Sequence, residues 1–379
     1  MQIAQLLWTR QADPVEIARR GDCRAPQLVL VFAAPAWLRE AATWRELQQR
    51  FPTATIVAGS TAGEIYDARV VDDSLVATAV QFDKTTLRQA TISLAEAGSS
   101  RRAGEALIEQ LSSPGLAHVF VLSDGLKVNG SELVAGLRDR LPEGVGLSGG
   151  LCADGPRFEQ THVCVDRFDA DARVVALGFY GKDLRTGLGS LGGWDSFGPE
   201  RRVTRAVGNV VYELDGKPAL DLYEQYLGEH ATGLPASGLL FPLMVRADRN
   251  QDGIVRTILA VDGIARSLTF AGDVPTGHFA RLMRANFDRL VEGAAGAAHN
   301  CRETLAGQDP ELAILISCVG RKLVLKQRIE EEVEAVQRVL GASPVLAGFY
   351  SYGEISPFAS AARCELHNQT MTITTFSEH

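Results

Sequence analysis

Leu28-Val-Leu-Val-Phe32 is a short apolar run, and it opens the pattern that decides the fold of this 379-residue chain. A helix-forming stretch, Ala41–Phe51, follows it, and Ile56-Val57 then leads into the glycine loop Gly59-Ser-Thr-Ala-Gly63-Glu64. Continuous apolar runs of this length, separated by a helix, are typical of strands buried on both faces. The stretch therefore predicts a strand, a helix, a second strand and a glycine loop.

The same order of elements occurs twice more along the chain. The second copy contains a strand, a helix and a glycine loop at His118–Leu122, Ser131–Leu141 and Gly149–Gly155. The third copy contains the same three elements at Leu312–Ile316, Arg328–Leu340 and Gly348–Glu354. It also has extra residues near 323–327, which an added helical turn would absorb. Three such copies predict an α/β fold of internally repeated strand-helix-strand units, in which mixed sheets are covered by helices.

The segments between the copies predict further strands and helices. We expect helices that open at Asp13-Pro14 and that span Arg101–Leu111, Ala219–Leu227 and Phe279–Glu292. We expect strands at Leu75–Phe82, Val174–Phe179 and Glu365–Phe376, and a strand pair within Val203–Leu214 with a turn at Asp215-Gly216. The sequence thus predicts two intimately packed domains, residues 1–216 and 217–379.

Composition and charge exclude several classes of protein. The chain carries a formal net charge of -8, so it lacks the basic surface that nucleic-acid binding requires. Its apolar runs are too short to span a bilayer and its first residues do not resemble a signal peptide, so we expect a cytoplasmic protein with no membrane partner. Six scattered cysteines without a Cys-x-x-Cys pair favour a reducing compartment.

The glycine loops are the first candidates for a binding site. Loops at strand ends in α/β sheets commonly form the ligand crevice, and glycine lets backbone N–H groups approach a ligand closely. If the three loops converge, the ligand-binding residues are Gly59, Ser60, Thr61, Glu64, Gly149, Cys152, Gly348, Tyr350, Tyr352 and Glu354. The alternative is that the glycines only permit tight contact with a neighbouring strand.

A second candidate lies at the end of the third apolar strand. Cys318 is followed three residues later by Arg321, whose guanidinium is expected to lower the pKa of the thiol and to raise its reactivity. Such a cysteine could serve as a redox sensor, a metal or haem ligand, or a nucleophile, and Arg321 could clamp a carboxylate. A buried, inert cysteine is the alternative.

Six motifs resemble, in order, the successive signatures of the FIST N and FIST C domains. They are Val57–Ile65, Gly149–Gly155, Val210–Tyr223, Ser317–Arg321, Gly348–Pro357 and Glu365–Thr370. The resemblance covers nearly the whole chain and implies a module that senses a small ligand. Within this family the chain is similar in length and layout to the NosP group, haem proteins that sense nitric oxide and regulate a histidine kinase.

The NosP resemblance implies haem, a gas ligand, and a histidine kinase or other signalling protein acting in trans, and it leaves open a homo-oligomer. Haem needs an axial ligand, for which we nominate His230 and His367, with Cys318 and Arg321 as further cofactor-binding residues. One alternative is a sensor of another small ligand, such as an amino acid, without haem. Others are a thiol-dependent enzyme built on Cys318 or Cys152 and a pure interaction adaptor. No standard catalytic motif occurs, so we do not expect an enzyme.

Overall fold

The structure, a computed structural model, describes residues 1–249, 253–305, 308–357 and 363–379. Its α-helices are α1 (Pro35–Arg39), α2 (Ala41–Arg50), α3 (Leu94–Ala97), α4 (Ser100–Leu111), α5 (Gly130–Arg140), α6 (Ala219–Leu227), α7 (Phe287–Thr304), α8 (Val319–Leu325) and α9 (Ile329–Leu340). Short 3₁₀ helices lie at Gly228–Gly233, Ala236–Leu240 and Lys326–Arg328.

The strands of the first half of the chain are β1 (Gln2–Thr9), β2 (Ala12–Arg20), β3 (Leu28–Ala33), β4 (Thr55–Ser60), β5 (Glu64–Tyr66), β6 (Arg69–Val71), β7 (Leu75–Gln81), β8 (Thr86–Ser93), β9 (Leu116–Ser123), β10 (Gly146–Leu151), β11 (Val163–Val165), β12 (Arg173–Tyr180) and β13 (Leu184–Leu191). Those of the second half are β14 (Asp195–Ser196), β15 (Arg201–Val207), β16 (Val210–Leu214), β17 (Lys217–Pro218), β18 (Leu243–Arg246), β19 (Ile254–Arg256), β20 (Ile258–Asp262), β21 (Ser267–Phe270), β22 (Phe279–Arg284), β23 (Leu312–Cys318), β24 (Val345–Ser351), β25 (Gly353–Pro357), β26 (Cys364–His367) and β27 (Met371–Glu378).

Three six-stranded sheets repeat one plan, with a parallel pair of strands inside each. The parallel pairs are β3 with β4, β9 with β10, and β23 with β24. An antiparallel strand, β7, β12 or β27, lies beside the first strand of each pair. The full strand orders are β11-β4-β3-β7-β1-β2, β26-β25-β10-β9-β12-β8 and β13-β27-β23-β24-β5-β6. The predicted fold of repeated units with mixed sheets is confirmed.

The three repeats exchange strands in a cycle. The strand after the first glycine loop, β5, pairs with β24 of the third repeat. The strand after the second loop, β11, pairs with β4 of the first, and the strand after the third loop, β25, pairs with β10 of the second. Each sheet is therefore completed by a strand from another repeat, which packs the two halves of the chain intimately together.

A fourth sheet is built from the segment between the second and third repeats. Its order is β19-β18-β22-β15-β16-β21-β20, with β14 beside β22 and β17 beside β16. Helix α6 packs on it and contributes Leu220, Tyr223 and Leu227 to a separate apolar core. This sheet lies against the second repeat through β19, which contacts β26.

Helix α9 shows how a local pattern sets the packing. Val333, Val336 and Leu340 recur at helical spacing and are buried. Glutamates occupy its first turn, where the helix dipole favours negative charge, and the helix ends at Gly341, which has a φ of 84°. The buried stripe packs against α7, so helices cover this side of the third sheet.

The helix expected to open at Asp13-Pro14 is wrong. Residues Ala12–Arg20 form β2, which pairs with β1 at the edge of the first sheet. Proline is tolerated in an edge strand because one side of such a strand makes no ladder hydrogen bonds. Backbone pairing with β1, a tertiary interaction, therefore outweighs the local signal for a helix start.

Three other expected elements differ in their bounds. Phe279–Arg284 is strand β22, and helix α7 begins only after Asn286 caps it. The strand expected at Glu365–Phe376 is two strands in different sheets, separated by a turn in which Gln369 has a φ of 64°. Strands β15 and β16 turn at Gly208, whereas Asp215-Gly216 joins β16 to β17. In the first two cases pairing with strands distant in sequence decides the boundary, whereas the third is a local hairpin.

Candidate functional site

The three glycine loops meet at one junction. Equivalent residues of the loops are joined in a ring by three backbone hydrogen bonds: Ala62 N to Tyr350 O (2.9 Å), Tyr352 N to Leu151 O (3.1 Å) and Ala153 N to Ser60 O (2.9 Å). The ring places Thr61, Cys152 and Ser351 at matching positions of the three repeats. The cyclic exchange of strands thus brings the loops together.

Close packing leaves no room for a side chain at the glycines of the strand ends. A Cβ atom at Gly149 would lie 2.0 Å from the Val121 carbonyl oxygen, and one at Gly348 would lie 1.9 Å from that of Leu315. At Gly59 a Cβ atom would lie 2.8 Å from the sulfur of Cys152. Tight contact with the neighbouring segment accounts for all three glycines.

Two buried glutamates occupy equivalent places beside the junction. Glu64 accepts hydrogen bonds from the hydroxyls of Thr61 and Ser74, and burial raises its pKa to about 7. Glu354 accepts from Ser351 Oγ at 2.6 Å and Thr370 Oγ1 at 2.9 Å, and burial raises its pKa to about 8. In each case a hydroxyl three residues earlier in the chain donates a hydrogen bond to the carboxyl group. Burial thus makes both of these carboxyls easier to protonate than an exposed glutamate.

A cleft opens on one side of this junction, and we call it the loop cleft. It comprises adjoining spaces of about 330 and 280 Å³ that share Ala34, Asp73 and Arg157. The first repeat lines it with Thr61–Glu64, the second with Gly155–Arg157 and the third with Val319 and Lys322. All three repeats therefore supply walls of the first of these two spaces.

The charged groups of the loop cleft have both signs. Lys322 Nζ donates to the Ala62 carbonyl oxygen at 2.8 Å and forms an ion pair with Asp72. Arg157 is exposed and its guanidinium lies 4.0 Å from Asp154, at the limit of an ion pair. Asp73 is exposed as well and borders both spaces. The cleft can therefore meet a ligand that carries a negative and a positive group.

A larger cavity of about 570 Å³ lies elsewhere, and we call it the seam cavity. One wall is helix α5 of the second repeat, and the other walls come from β18, β19 and β26. Arg138, Arg256, His278 and Glu365 are among its lining residues. It thus lies where the fourth sheet meets the second repeat.

Arg321 is committed to an internal ion pair. Its side chain is fully buried and binds Glu332, with a nitrogen-to-oxygen distance of 2.8 Å. It also donates to the backbone oxygens of Gly192 and Leu290. Glu332 in turn accepts a hydrogen bond from the hydroxyl of Tyr350 at 2.7 Å. These bonds fix Arg321 and Tyr350 in the core, away from both cavities.

The expectation that the Cys318 thiol has a lowered pKa because of Arg321 is wrong. Burial raises the pKa of Cys318 far above its usual value, and the nearby Glu354 raises it further, while Arg321 has only a small opposing effect. Burial likewise raises the pKa of Cys152. Both thiols are therefore held protonated inside the protein.

We expect neither thiol to be reactive in the folded chain. Alkylation by iodoacetamide, followed by mass spectrometry, should modify Cys318 and Cys152 far more slowly than a free cysteine. Cys23, which is partly exposed, serves as the internal reference and should be modified first. Labelling of Cys318 at the rate of free thiol would restore the thiol-enzyme hypothesis.

The structure does not bring the two nominated histidines together. His230 is exposed on the 3₁₀ helix Gly228–Gly233, with its ring 5.6 Å from that of Phe241. His367 is buried in β26, where Nε2 lies 2.8 Å from the Ser356 carbonyl oxygen and burial lowers its pKa to about 4. No cluster of three metal-ligating side chains occurs in the ranges that the structure describes.

The other nominated residues are divided between the cleft and the core. Thr61 and Glu64 line the loop cleft. Tyr352 stacks on Phe158, with ring centroids 4.6 Å apart, and donates to the Gly155 carbonyl oxygen at 2.7 Å, so it supports the second loop from behind. Sequence reasoning missed Arg157 and Lys322, because no local pattern distinguishes them from other surface cations.

The chain belongs to the FIST family. Residues 27–217 match the FIST N domain and residues 219–357 match the FIST C domain. FIST domains are generally sensor domains of signal transduction. None of the described helices is long and apolar enough to cross a membrane.

Its curated relatives are uncharacterised proteins. An uncharacterised protein of Mycobacterium bovis is 27% identical over 246 residues, which cover 62% of this chain and 61% of that protein. One of Methanocaldococcus jannaschii is 28% identical over 203 residues, covering 50% of this chain and 38% of that protein. The match thus spans about three fifths or less of the length of these relatives.

Two solved structures are weakly similar. A chorismatase has a TM-score of 0.35 at 10% identity, covering 99% of this chain and 98% of its own. A cyanuric acid hydrolase from A. caulinodans has a TM-score of 0.18 at 10% identity, covering 78% of this chain and 99% of its own. At these TM-scores neither structure bears on the function of this chain.

Proposed function

We propose that this protein is a signal-transduction sensor that binds a small zwitterionic ligand, such as an amino acid, in the loop cleft. The observation that carries the proposal is that segments from all three repeats line this one cleft. A ligand bound there contacts the first loop, the second loop and helix α8 together. Its binding energy therefore favours one relative arrangement of the repeats.

The charges of the cleft suit the two ends of an amino acid. Arg157 and Lys322 supply the cations that a ligand carboxylate requires. Asp73, which borders both spaces, supplies the anion for the ammonium group. Thr61 and the loop backbone add uncharged hydrogen-bonding groups at the wall formed by the first repeat.

The signal would pass to a separate protein. Sensor domains of this family act through signalling partners. We propose a histidine kinase as that partner, as the resemblance to the NosP group implies. Co-purification of a kinase with the chain, increased or decreased by the ligand of the cleft, would support this part of the proposal.

The proposal is tested by measuring amino-acid binding with native protein and variants. Calorimetry with the twenty amino acids should identify at least one ligand, and both Arg157→Met and Lys322→Met should weaken its binding by about 10- to 100-fold, the effect of losing a charge-assisted hydrogen bond. Lys182→Met, an exposed lysine outside the cleft, is the matched control and should bind normally. Absence of binding by every amino acid, or binding unchanged in both cleft variants, would refute the proposal.

Haem binding and nitric-oxide sensing remain predictions that rest on the resemblance alone. The four residues nominated for haem, His230, His367, Cys318 and Arg321, occupy separate environments and do not surround one cavity. The same experiment therefore also tests haemin binding, which would support the alternative function. A Soret band that shifts with nitric oxide, in a protein that binds no amino acid, would favour the gas sensor.

A further inference from the structure

We propose that the seam cavity is a second ligand site, which takes a small organic acid with one carboxylate group. The site is separate from the loop cleft, so this inference goes beyond the proposed function. Its volume of about 570 Å³ is within the range of small-molecule sites. The argument rests on one buried arginine, the charges around it and the apolar walls.

Arg256 lies at the inner wall of the cavity with 6% of its surface exposed. It donates to the carbonyl oxygens of Asp273 at 3.1 Å and Leu366 at 2.7 Å, and to Ser131 Oγ at 3.4 Å. A guanidinium has five N–H groups. Among the described residues these three bonds engage three of them, which leaves two N–H groups for a ligand.

Arg256 makes no direct ion pair with a described residue, although Asp273 and Glu365 lie near enough to act on its charge. Within the described ranges no carboxylate oxygen lies within the 4.0 Å of an ion pair with this guanidinium. A buried charge without a partner is costly, in contrast to Arg321, whose charge is balanced by Glu332. A ligand carboxylate would supply the direct pair that these two carboxylates do not make, and its planar shape matches two N–H groups of a guanidinium.

A second arginine, Arg138, also lines the seam cavity. Arg138 donates to the Cys364 carbonyl oxygen at 3.3 Å, while Arg256 binds that of Leu366, two residues further along the same strand. The two anchoring points are therefore about 7 Å apart along β26. Both guanidiniums thus border the cavity from the strand edge.

Acidic groups set an upper limit on the charge of the ligand. Asp273 and Glu365 also line the cavity, and neither forms an ion pair with a described residue. Asp273 accepts a hydrogen bond from the Asn129 side chain at 3.0 Å. A second anionic group on the ligand would meet these carboxylates, which favours a monocarboxylate over a dianion.

The remaining walls are apolar. Val134, Val245, Ile254 and Leu366 face the same space. They provide contact for a hydrocarbon body attached to the carboxylate. An organic acid therefore fits the cavity better than an inorganic anion does.

Arg256 connects the fourth sheet to the second repeat, so a ligand bound to it would affect the contact between them. Two of its bonds join β19 to helix α5 through Ser131 and to β26 through Leu366. Ser131 Oγ also accepts the Asp273 backbone N–H at 3.1 Å. A ligand on Arg256 would therefore stabilise the contact between the fourth sheet and the second repeat.

The test is to titrate the full chain, in a calorimeter, with acetate, butyrate, benzoate, succinate and inorganic phosphate in turn. We expect saturable binding of benzoate or butyrate, with succinate and phosphate at least tenfold weaker. Arg256→Met should weaken the binding by at least tenfold. If Arg256→Met does not fold, Ala135→Trp, which fills the cavity from helix α5, provides the same test.

Controls separate this site from the loop cleft. Arg102→Met, an exposed arginine of α4, and Lys322→Met should both bind the monocarboxylate as the native chain does. No monocarboxylate binding, binding unchanged in both cavity variants, or phosphate bound more tightly than benzoate would each overturn the assignment. Loss of binding in Lys322→Met but in neither cavity variant would place the acid in the loop cleft and likewise overturn it.

Discussion

Replacing Arg321 by methionine is expected to lower the free energy of unfolding by about 3–5 kcal/mol, because it leaves a buried carboxylate without its partner. Glu332 is fully buried and is bound by Arg321, Ser317 and Tyr350. The substitution also removes the donors that satisfy the backbone oxygens of Gly192 and Leu290. Urea unfolding followed by circular dichroism measures the loss.

The matched control is Arg328→Met. Arg328 also pairs with acidic residues, Asp288 and Glu331, but its side chain is 43% exposed, so water replaces the lost contacts. Its unfolding midpoint should stay close to that of the native chain. If Arg321→Met and Arg328→Met unfold at the same urea concentration, the buried ion pair contributes no more to stability than the exposed one.

Replacing Gly149 by alanine should be the second severe change, with a loss of about 3 kcal/mol or more. Gly149 has a φ of 151°, which L-residues rarely adopt, and its added Cβ would lie 2.0 Å from the Val121 carbonyl oxygen. Both atoms belong to the paired strands β9 and β10, so the backbone has little freedom to move. The measurement is the urea midpoint together with the yield of folded protein.

Gly98→Ala separates strain from steric clash. Gly98 has a φ of 74°, but nothing lies within 4 Å of its would-be Cβ. It should lose only about 1 kcal/mol, which reflects backbone strain alone. Equal losses at Gly98 and Gly149 would mean that close approach of the strands is not what requires glycine at the junction.

These two expectations concern the same architecture as the proposed sites. The junction depends on glycines that let strands approach closely, and helix α8 is anchored through Arg321. Lys322, the next residue, is thereby positioned over the loop cleft, where it binds the Ala62 carbonyl oxygen. The buried ion pair of Arg321 thus helps to fix the helix that carries Lys322.

Much of the local structure follows from short stretches of sequence. Helix α6 spans Ala219–Leu227 as predicted, because Pro218 precedes it and its apolar residues recur at helical spacing. The first strand of each parallel pair is a mainly apolar run, as is typical of a strand buried on both faces. These features depend on neighbouring residues, so the sequence reveals them.

The sites could not be predicted in the same way. Cys318 and Arg321 are close in sequence, yet the guanidinium binds Glu332, 11 residues further on, and the thiol stays buried and protonated. Likewise, nothing in the sequence near Arg256 indicates that its partners are Ser131 and Leu366. Burial and counter-ions are properties of the packed chain, and they decide which charged groups remain available to a ligand.

The sequence by itself determined three copies of a strand-helix-strand unit, each ending in a glycine loop, because apolar periodicity and glycine act over a few residues. The tertiary structure alone decided that β5, β11 and β25 each complete the sheet of another repeat. Strand pairing is a long-range interaction whose partners local patterns do not specify. That exchange brings the loops to one junction, and with it creates the cleft in which we place the ligand.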